Sequence, residues 1–145
     1  MTAPATRIAP SDDLAACHAI RRAVFIREQA VPEALEIDGL DDAAIHLLAV
    51  VDGRPVGCAR LLIDGAVGKI GRVAVLPEAR GTGLGAALMH AALDELRRIP
   101  GVTTARLGAQ THALGFYERL GFVAEGPVFD DAGIPHRMMS RPLWP

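Results

Sequence analysis

Arg80-Gly81-Thr82-Gly83-Leu84-Gly85 follows the β-branched run Val73-Ala74-Val75-Leu76 and opens a helix-patterned run that continues to Arg98. A strand, a glycine-rich turn and a helix N-terminus in that order make a site for a phosphate. Such a turn aims backbone N–H groups outward, and the helix dipole adds partial positive charge at its start. Arg80 brings a full charge and a fork of donors. Glycine lets the main chain approach a ligand where a Cβ would stand in the way. The stretch therefore predicts a phosphorylated ligand and a strand–turn–helix unit in the middle of the chain.

The flanking sequence supplies the rest of the architecture. Thr6 to Ala9 reads as a first strand, and Ser11 or Asp12 caps a helix. Leu14, Cys17, Ile20, Ala23 and Val24 recur at helical spacing, which predicts one helix to about Arg27. Glu28 to Asp42 is polar, acidic and interrupted by Pro32, with room for one helical turn. Leu47 to Val51 is a buried strand, Asp52-Gly53 a hairpin turn, and Pro55 to Ile63 the return strand. Asp64-Gly65 turns again into Gly68 to Leu76. In the central helix Leu84, Leu88, Ala91, Ala92 and Leu96 share one face, and Pro100-Gly101 ends it. A strand from Thr103 to Gly108, a short helix from Ala113 to Leu120, and strands from Phe122 and from His136 to Leu143 complete the chain. Hairpins followed by helix, strand, helix and hairpin predict an α/β sheet of mixed direction; a doubly wound sheet would alternate throughout.

The totals narrow the class. The 145 residues are half hydrophobic and 22% charged, which suits one globular domain spanning 1–145. The apolar runs are too short to span a membrane, and MTAPATRIAP lacks the apolar core of a secretory signal, so a cytoplasmic protein is expected. A net charge of −2, no basic stripe and few aromatics argue against nucleic acid as a partner. Cys17 and Cys58 are too few for a structural zinc site, and no metal is expected.

Three glycine-loop readings compete. A nucleotide P-loop needs Gly-Lys followed by Ser or Thr, but Ala86 follows Gly85. Gly81-x-Gly83-x-x-Ala86 fits the short form of a dinucleotide fingerprint. That fingerprint should open the first βαβ unit and carry an acid about 20 residues on, and the stretch Thr103 to Arg106 has none. An ordinary glycine-rich turn is the third.

The order Arg80-x-x-Gly83-x-Gly85 after a valine-rich strand resembles the acyl-CoA-binding motif of the GNAT N-acetyltransferase superfamily. Gln110-x-x-Ala113-x-x-x-Tyr117-Glu118-Arg119-Leu120-Gly121-Phe122 is similar to that family's second signature, with Gln110 where Asn is common. The resemblance covers Leu47 to Met139. A narrower likeness, to the small bacterial ElaA/YjcF-like branch, rests on Arg21-x-x-Val24-Phe25-x-x-Glu28-Gln29-x-Val31-Pro32, Asp38-Gly39-x-Asp41, His46, Ala109-Gln110 and Gly133-Ile134-Pro135-His136. The resemblance implies a mixed, mostly antiparallel sheet of six to seven strands flanked by about four helices. It implies an acyltransferase that moves acetyl from the cosubstrate acetyl-CoA to the amine of a small molecule or peptide, in a ternary complex, and a homodimer as one assembly. A non-catalytic acyl-CoA-binding sensor with the same fold is the alternative.

The same resemblance distributes roles. Val73, Ala74 and Val75 would offer main-chain groups to the pantetheine arm, and an N–H near Ala74 or Val75 would polarise the thioester carbonyl. The amides of Arg80, Gly81, Thr82, Gly83, Leu84 and Gly85 would cradle the diphosphate, with Gln110 as a further coenzyme A contact. Tyr117 would protonate the departing thiolate. For the base the candidates are Glu28 and His46, with Glu36, Asp38, Asp41 and His136 beside them. As a group, the acids between Glu28 and Asp42 point to a cationic acceptor such as a polyamine, an amino sugar or a lysine-like amine.

Overall fold

The computed structural model describes residues 5–144. Seven strands form one sheet: β1 (Thr6–Pro10), β2 (Ile45–Val51), β3 (Arg54–Asp64), β4 (Val67–Val75), β5 (Thr104–Gln110), β6 (Val123–Asp131) and β7 (Ile134–Pro142). Their spatial order is β1-β2-β3-β4-β5-β7-β6. Every pairing is antiparallel except β4 with β5. The mixed sheet expected from the hairpin signals is present. The last hairpin folds inward, so that β7 inserts between β5 and β6.

Four α-helices accompany the sheet: α1 (Leu14–Arg21), α2 (Glu33–Glu36), α3 (Leu84–Arg97) and α4 (Leu114–Glu118). The alternation of strand side chains decides which helix covers which face. Leu47, Ala49, Ala59, Leu61 and Ile70 join Leu88, Met89, Leu93 and Leu96 of α3 in the larger core. Leu48, Cys58 and Ala74 point the other way, to Cys17 and Ile20 of α1. Gly68 lets α3 sit close, since a Cβ there would stand 2.4 Å from Leu96 Cδ2.

One expectation needs correction. The first helix does not run uniformly to Arg27: α1 ends at Arg21, and Arg22–Glu28 is a π-helix. The wider turn, closed by Gln29 N–H on the Val24 carbonyl at 3.1 Å, brings Val24, Phe25, Glu28 and Gln29 round to the same side of the molecule. A 3.6-residue count along the sequence does not detect an inserted residue of this kind.

The acidic segment is held by arginines. Buried Arg21 donates from Nε to Glu36 and from Nη1 to Asp41 Oδ1 at 2.8 Å. Arg60 on β3 grips Asp38 with two bonds of 2.8 and 2.7 Å and reaches Asp41 at 3.2 Å. Arg72 on β4 donates to the Glu36 carbonyl at 3.0 Å and to Asp38 at 3.3 Å. Three carboxylates thus face three guanidiniums, and Asp41 also takes His18 Nε2 at 2.8 Å. The hydrogen bonds from Arg60 hold the Asp38 carboxyl down at about 2 against the opposing pull of burial. Burial alone would raise Asp41, but bonds from Arg21, His18 and Arg60 hold it well below the usual carboxylate range.

Two predictions follow from this packing and pairing. Gly68→Ala crowds Leu96 and should cost about 1–3 kcal/mol of stability, read as a lower urea midpoint. Asp38 and Asp41 ionise more easily folded than unfolded, so their contribution is present above about pH 4 and is lost as the pH falls toward about 2. The urea midpoint should be level at neutral pH and fall in that acid window, and Asp41→Asn should flatten part of the fall. A wild-type midpoint unchanged through the window would contradict the pairing.

Candidate active site

β4 and β5 touch only at one end. Val67, Gly68 and Lys69 pair with Thr104, Ala105 and Arg106, and beyond them the two strands separate. A bulge in β4 marks the divergence: Cys58 faces Ala74 and Arg60 faces Gly71, so Arg72 and Val73 together oppose one residue of β3. Arg72 holds φ at 51°, an uncommon conformation for a non-glycine residue. The gap opens into two adjoining cavities of about 480 and 620 Å³ that share Gln29, Val73, Gln110 and Ile134 in their walls.

The open edge of β4 has unspent main-chain groups. Leu76 N–H bonds the Val56 carbonyl of β3 at 2.8 Å. Strand alternation then turns Val73 and Val75 toward the gap and Ala74 toward β3. Ala74 is buried in the α1-side core and pairs with Cys58 in the β3–β4 ladder. Of the pair Ala74 and Val75, only Val75 presents its N–H to the gap. The Val75 carbonyl already accepts Arg80 Nε at 3.0 Å.

At the mouth of the gap lies the glycine loop. Gly81 and Gly83 adopt φ of 75° and 82°, left-handed values that a side chain would strain, and Gly83 stands at the N-cap of α3. Arg80 N–H bonds the Pro77 carbonyl and Ala87 N–H bonds the Gly83 carbonyl. Between them, every backbone N–H from Gly81 to Ala86 lacks an acceptor among the described residues. Leu84 is buried beneath the loop, and a Cβ at Gly85 would stand 3.5 Å from Phe116 Cζ. Thr82 spends its hydroxyl on the Ala79 carbonyl at 2.7 Å.

Two residues expected to work separately are paired. Arg80 donates to both oxygens of Glu28, each at 2.7 Å, across the second cavity. The hydrogen bonds from Arg80 lower the Glu28 carboxyl below its ordinary value, which weakens it as a base. The Arg80 charge stays beside the loop, but its fork is committed to Glu28.

Tyr117 of α4 lines the first cavity, edge-on to Phe116 and Phe122 at centroid distances of 5.0 and 6.1 Å. Burial pushes its phenol pKa up. Its hydroxyl has no hydrogen-bond partner among the described residues. Gln110 ends β5 at the junction of the two cavities, donating to Gln29 Oε1 at 2.9 Å and accepting from His112 Nε2 at 2.7 Å.

His46 is placed elsewhere. It is buried on β2 with Nε2 2.9 Å from the Asp41 carbonyl, and it lines neither cavity. His136 does line the first cavity. Glu36 also reaches that wall, already bonded to Arg21, while Asp38 and Asp41 lie off it. Glu28, Glu36, Asp38 and Asp41 therefore do not make a free anionic patch. Glu28 is matched by Arg80, and Glu36, Asp38 and Asp41 by Arg21, Arg60 and Arg72. Phe25, Gln29 and Arg72 also line the first cavity, where sequence reasoning does not place them. The first two reach the cavity through the π-helical turn and the third through the bulge, and neither distortion has a periodic signal.

Comparison with known proteins agrees with this geometry. Residues 9–143 match the family described as the acetyltransferase (GNAT) domain. The chain is 37% identical to the uncharacterized N-acetyltransferase YjcF of Bacillus subtilis, over 84% of this chain and 87% of that protein. Among solved structures, an acyl-CoA N-acyltransferase from Pseudomonas aeruginosa superposes with a TM-score of 0.83 at 35% identity, covering 96% of this chain and 99% of the other. Escherichia coli ElaA superposes at 0.81 with 32% identity and the same coverage. An aminoglycoside 6'-N-acetyltransferase solved with coenzyme A shares the fold, at a TM-score of 0.77 and 16% identity. The parted strands, the unpaired amides ahead of α3 and these likenesses lead to one conclusion: the chain belongs to the GNAT family of acetyltransferases.

Proposed function

We propose that this acyltransferase moves the acetyl group of acetyl-CoA to a primary amine, by direct attack within a ternary complex. The observation that carries the reading is the row of unspent N–H groups from Gly81 to Ala86 at the start of α3. Amides aimed outward at a helix N-terminus suit a diphosphate. The charge of Arg80 adds to the field there, with the amides supplying the direct contacts. Val73 offers N–H and C=O to the pantetheine arm in the manner of a neighbouring strand, and Val75 offers its N–H alone.

That Val75 N–H is the donor best placed to polarise the thioester carbonyl, whose oxygen gains negative charge as the amine attacks. Tyr117 then gives its proton to the departing sulfur. A phenol kept neutral by burial is suited to donate, since the proton is present at every physiological pH. Gln29 and Gln110 at the junction of the cavities orient the acceptor nitrogen. The first cavity, with Phe25, Leu35, Phe129 and Met138 in its wall, suits a compact amine that carries an apolar body. The pairing of the nearby acids with arginines removes the support for a polycationic acceptor.

Thermal-shift titration tests the reading. Acetyl-CoA should raise Tm while NAD and ATP should not, because a ligand that binds only the folded state stabilises it. An unmoved Tm at saturating acetyl-CoA would sink the assignment. Tyr117→Phe should lower kcat by about 10²-fold with the Kd for acetyl-CoA unchanged in calorimetry. Gly83→Val should do the opposite, raising Kd by forcing a β-branched residue into a left-handed turn.

A further inference from the structure

We propose that His136 is the general base that takes the proton from the acceptor nitrogen. The inference rests on the acetyl-transfer reading and adds to it the group that reading lacks. His136 belongs to β7, is 8% exposed, and lines the same cavity as Tyr117. Its Nδ1 lies 2.7 Å from the Ile134 carbonyl oxygen. A carbonyl only accepts, so Nδ1 carries the hydrogen and Nε2 keeps its lone pair. No described residue hydrogen-bonds Nε2. The ring stacks on Phe129 at 5.8 Å and 27°, which fixes its plane as the Ile134 bond fixes its tautomer. Across the ladder His136 faces Gln110 on β5, the residue at the junction of the two cavities.

The competing bases are spoken for. Glu28 is held by Arg80 and Glu36 by Arg21, and His46, whose Nε2 donates to the Asp41 carbonyl, lines neither cavity. The other ionisable groups around the cavity are Arg72, Tyr117 and Asp131, the last on the exposed turn of the β6–β7 hairpin. Among these His136 alone combines burial, a fixed tautomer and an unspent basic nitrogen.

The step balances. The lone pair of a neutral amine forms the C–N bond to the thioester carbonyl carbon while His136 Nε2 takes one proton from that nitrogen. The C–S bond then breaks, its electron pair leaves on sulfur, and sulfur takes the proton of the Tyr117 hydroxyl. The imidazolium returns its proton to the tyrosinate through solvent, which restores both groups.

The test compares wild type with His136→Ala and His136→Asn, using acetyl-CoA and benzylamine as the probe amine and following free thiol. Asn keeps a donor for the Ile134 carbonyl but has no basic nitrogen. Both variants should lose about 10²-fold in kcat with an unchanged Kd for acetyl-CoA, and the acid limb of the pH–rate profile should flatten in both. Added imidazole should restore part of the rate of His136→Ala. Nitrogen-15 NMR of the wild-type imidazole should show hydrogen on Nδ1 in the neutral ring. A fully active His136→Ala, recovery of rate in His136→Asn, or hydrogen on Nε2 would each overturn the proposal. A wild-type protein that binds acetyl-CoA yet releases no thiol would instead overturn the transfer reading, and the base with it.

Discussion

The short parallel contact between β4 and β5 is the constraint on which the rest depends. The contact from Val67 to Lys69 keeps one continuous sheet, and the separation beyond it creates the cleft. If the ladder continued, Val73 and Val75 would spend their main-chain groups on β5 and no gap would open beside them. The bulge at Arg72 and Val73 sets the departure, because an extra residue bends a strand and increases its twist. α3 crosses beneath β3 and β4, with Gly68 admitting Leu96. Its N-terminus therefore arrives where the strands have parted.

Charge is organised around that cleft by cancellation. Of the groups near its walls, Glu28 and Glu36 are neutralised by arginines from other elements. What is left to act on a substrate is mainly neutral: unspent amides, the Tyr117 phenol, the Gln29–Gln110 pair and an imidazole. Neutral groups that are already oriented suit acyl transfer, in which charge develops and disappears within one turnover.

Much of the fold was legible because it rests on strong local signals. Asp52-Gly53 and Asp64-Gly65 placed the hairpins, Gly81 and Gly83 placed the head of α3, and Pro100-Gly101 placed its end. The candidate site was legible where main-chain geometry supplies it. It was obscure where long side chains choose partners: no spacing rule joins Glu28 to Arg80 across fifty-two positions, or Arg21 to Asp41 across twenty. The two histidines show the same limit. His46 and His136 are equal as residue types, and only the sheet decides that one ring is enclosed beside Asp41 while the other borders the cleft.

The arginine clasp around the 33–43 segment has an evolutionary consequence. Glu36, Asp38 and Asp41 fasten this stretch from its inner side, so its position is independent of the side chains that project outward. Leu35, Ile37 and Leu40 are 55%, 51% and 46% exposed, and Leu35 borders the first cavity. Such positions can be exchanged without unfastening the backbone that carries them. A lineage could thus retune which molecules it modifies by altering Leu35, while the paired carboxylates keep the segment in place.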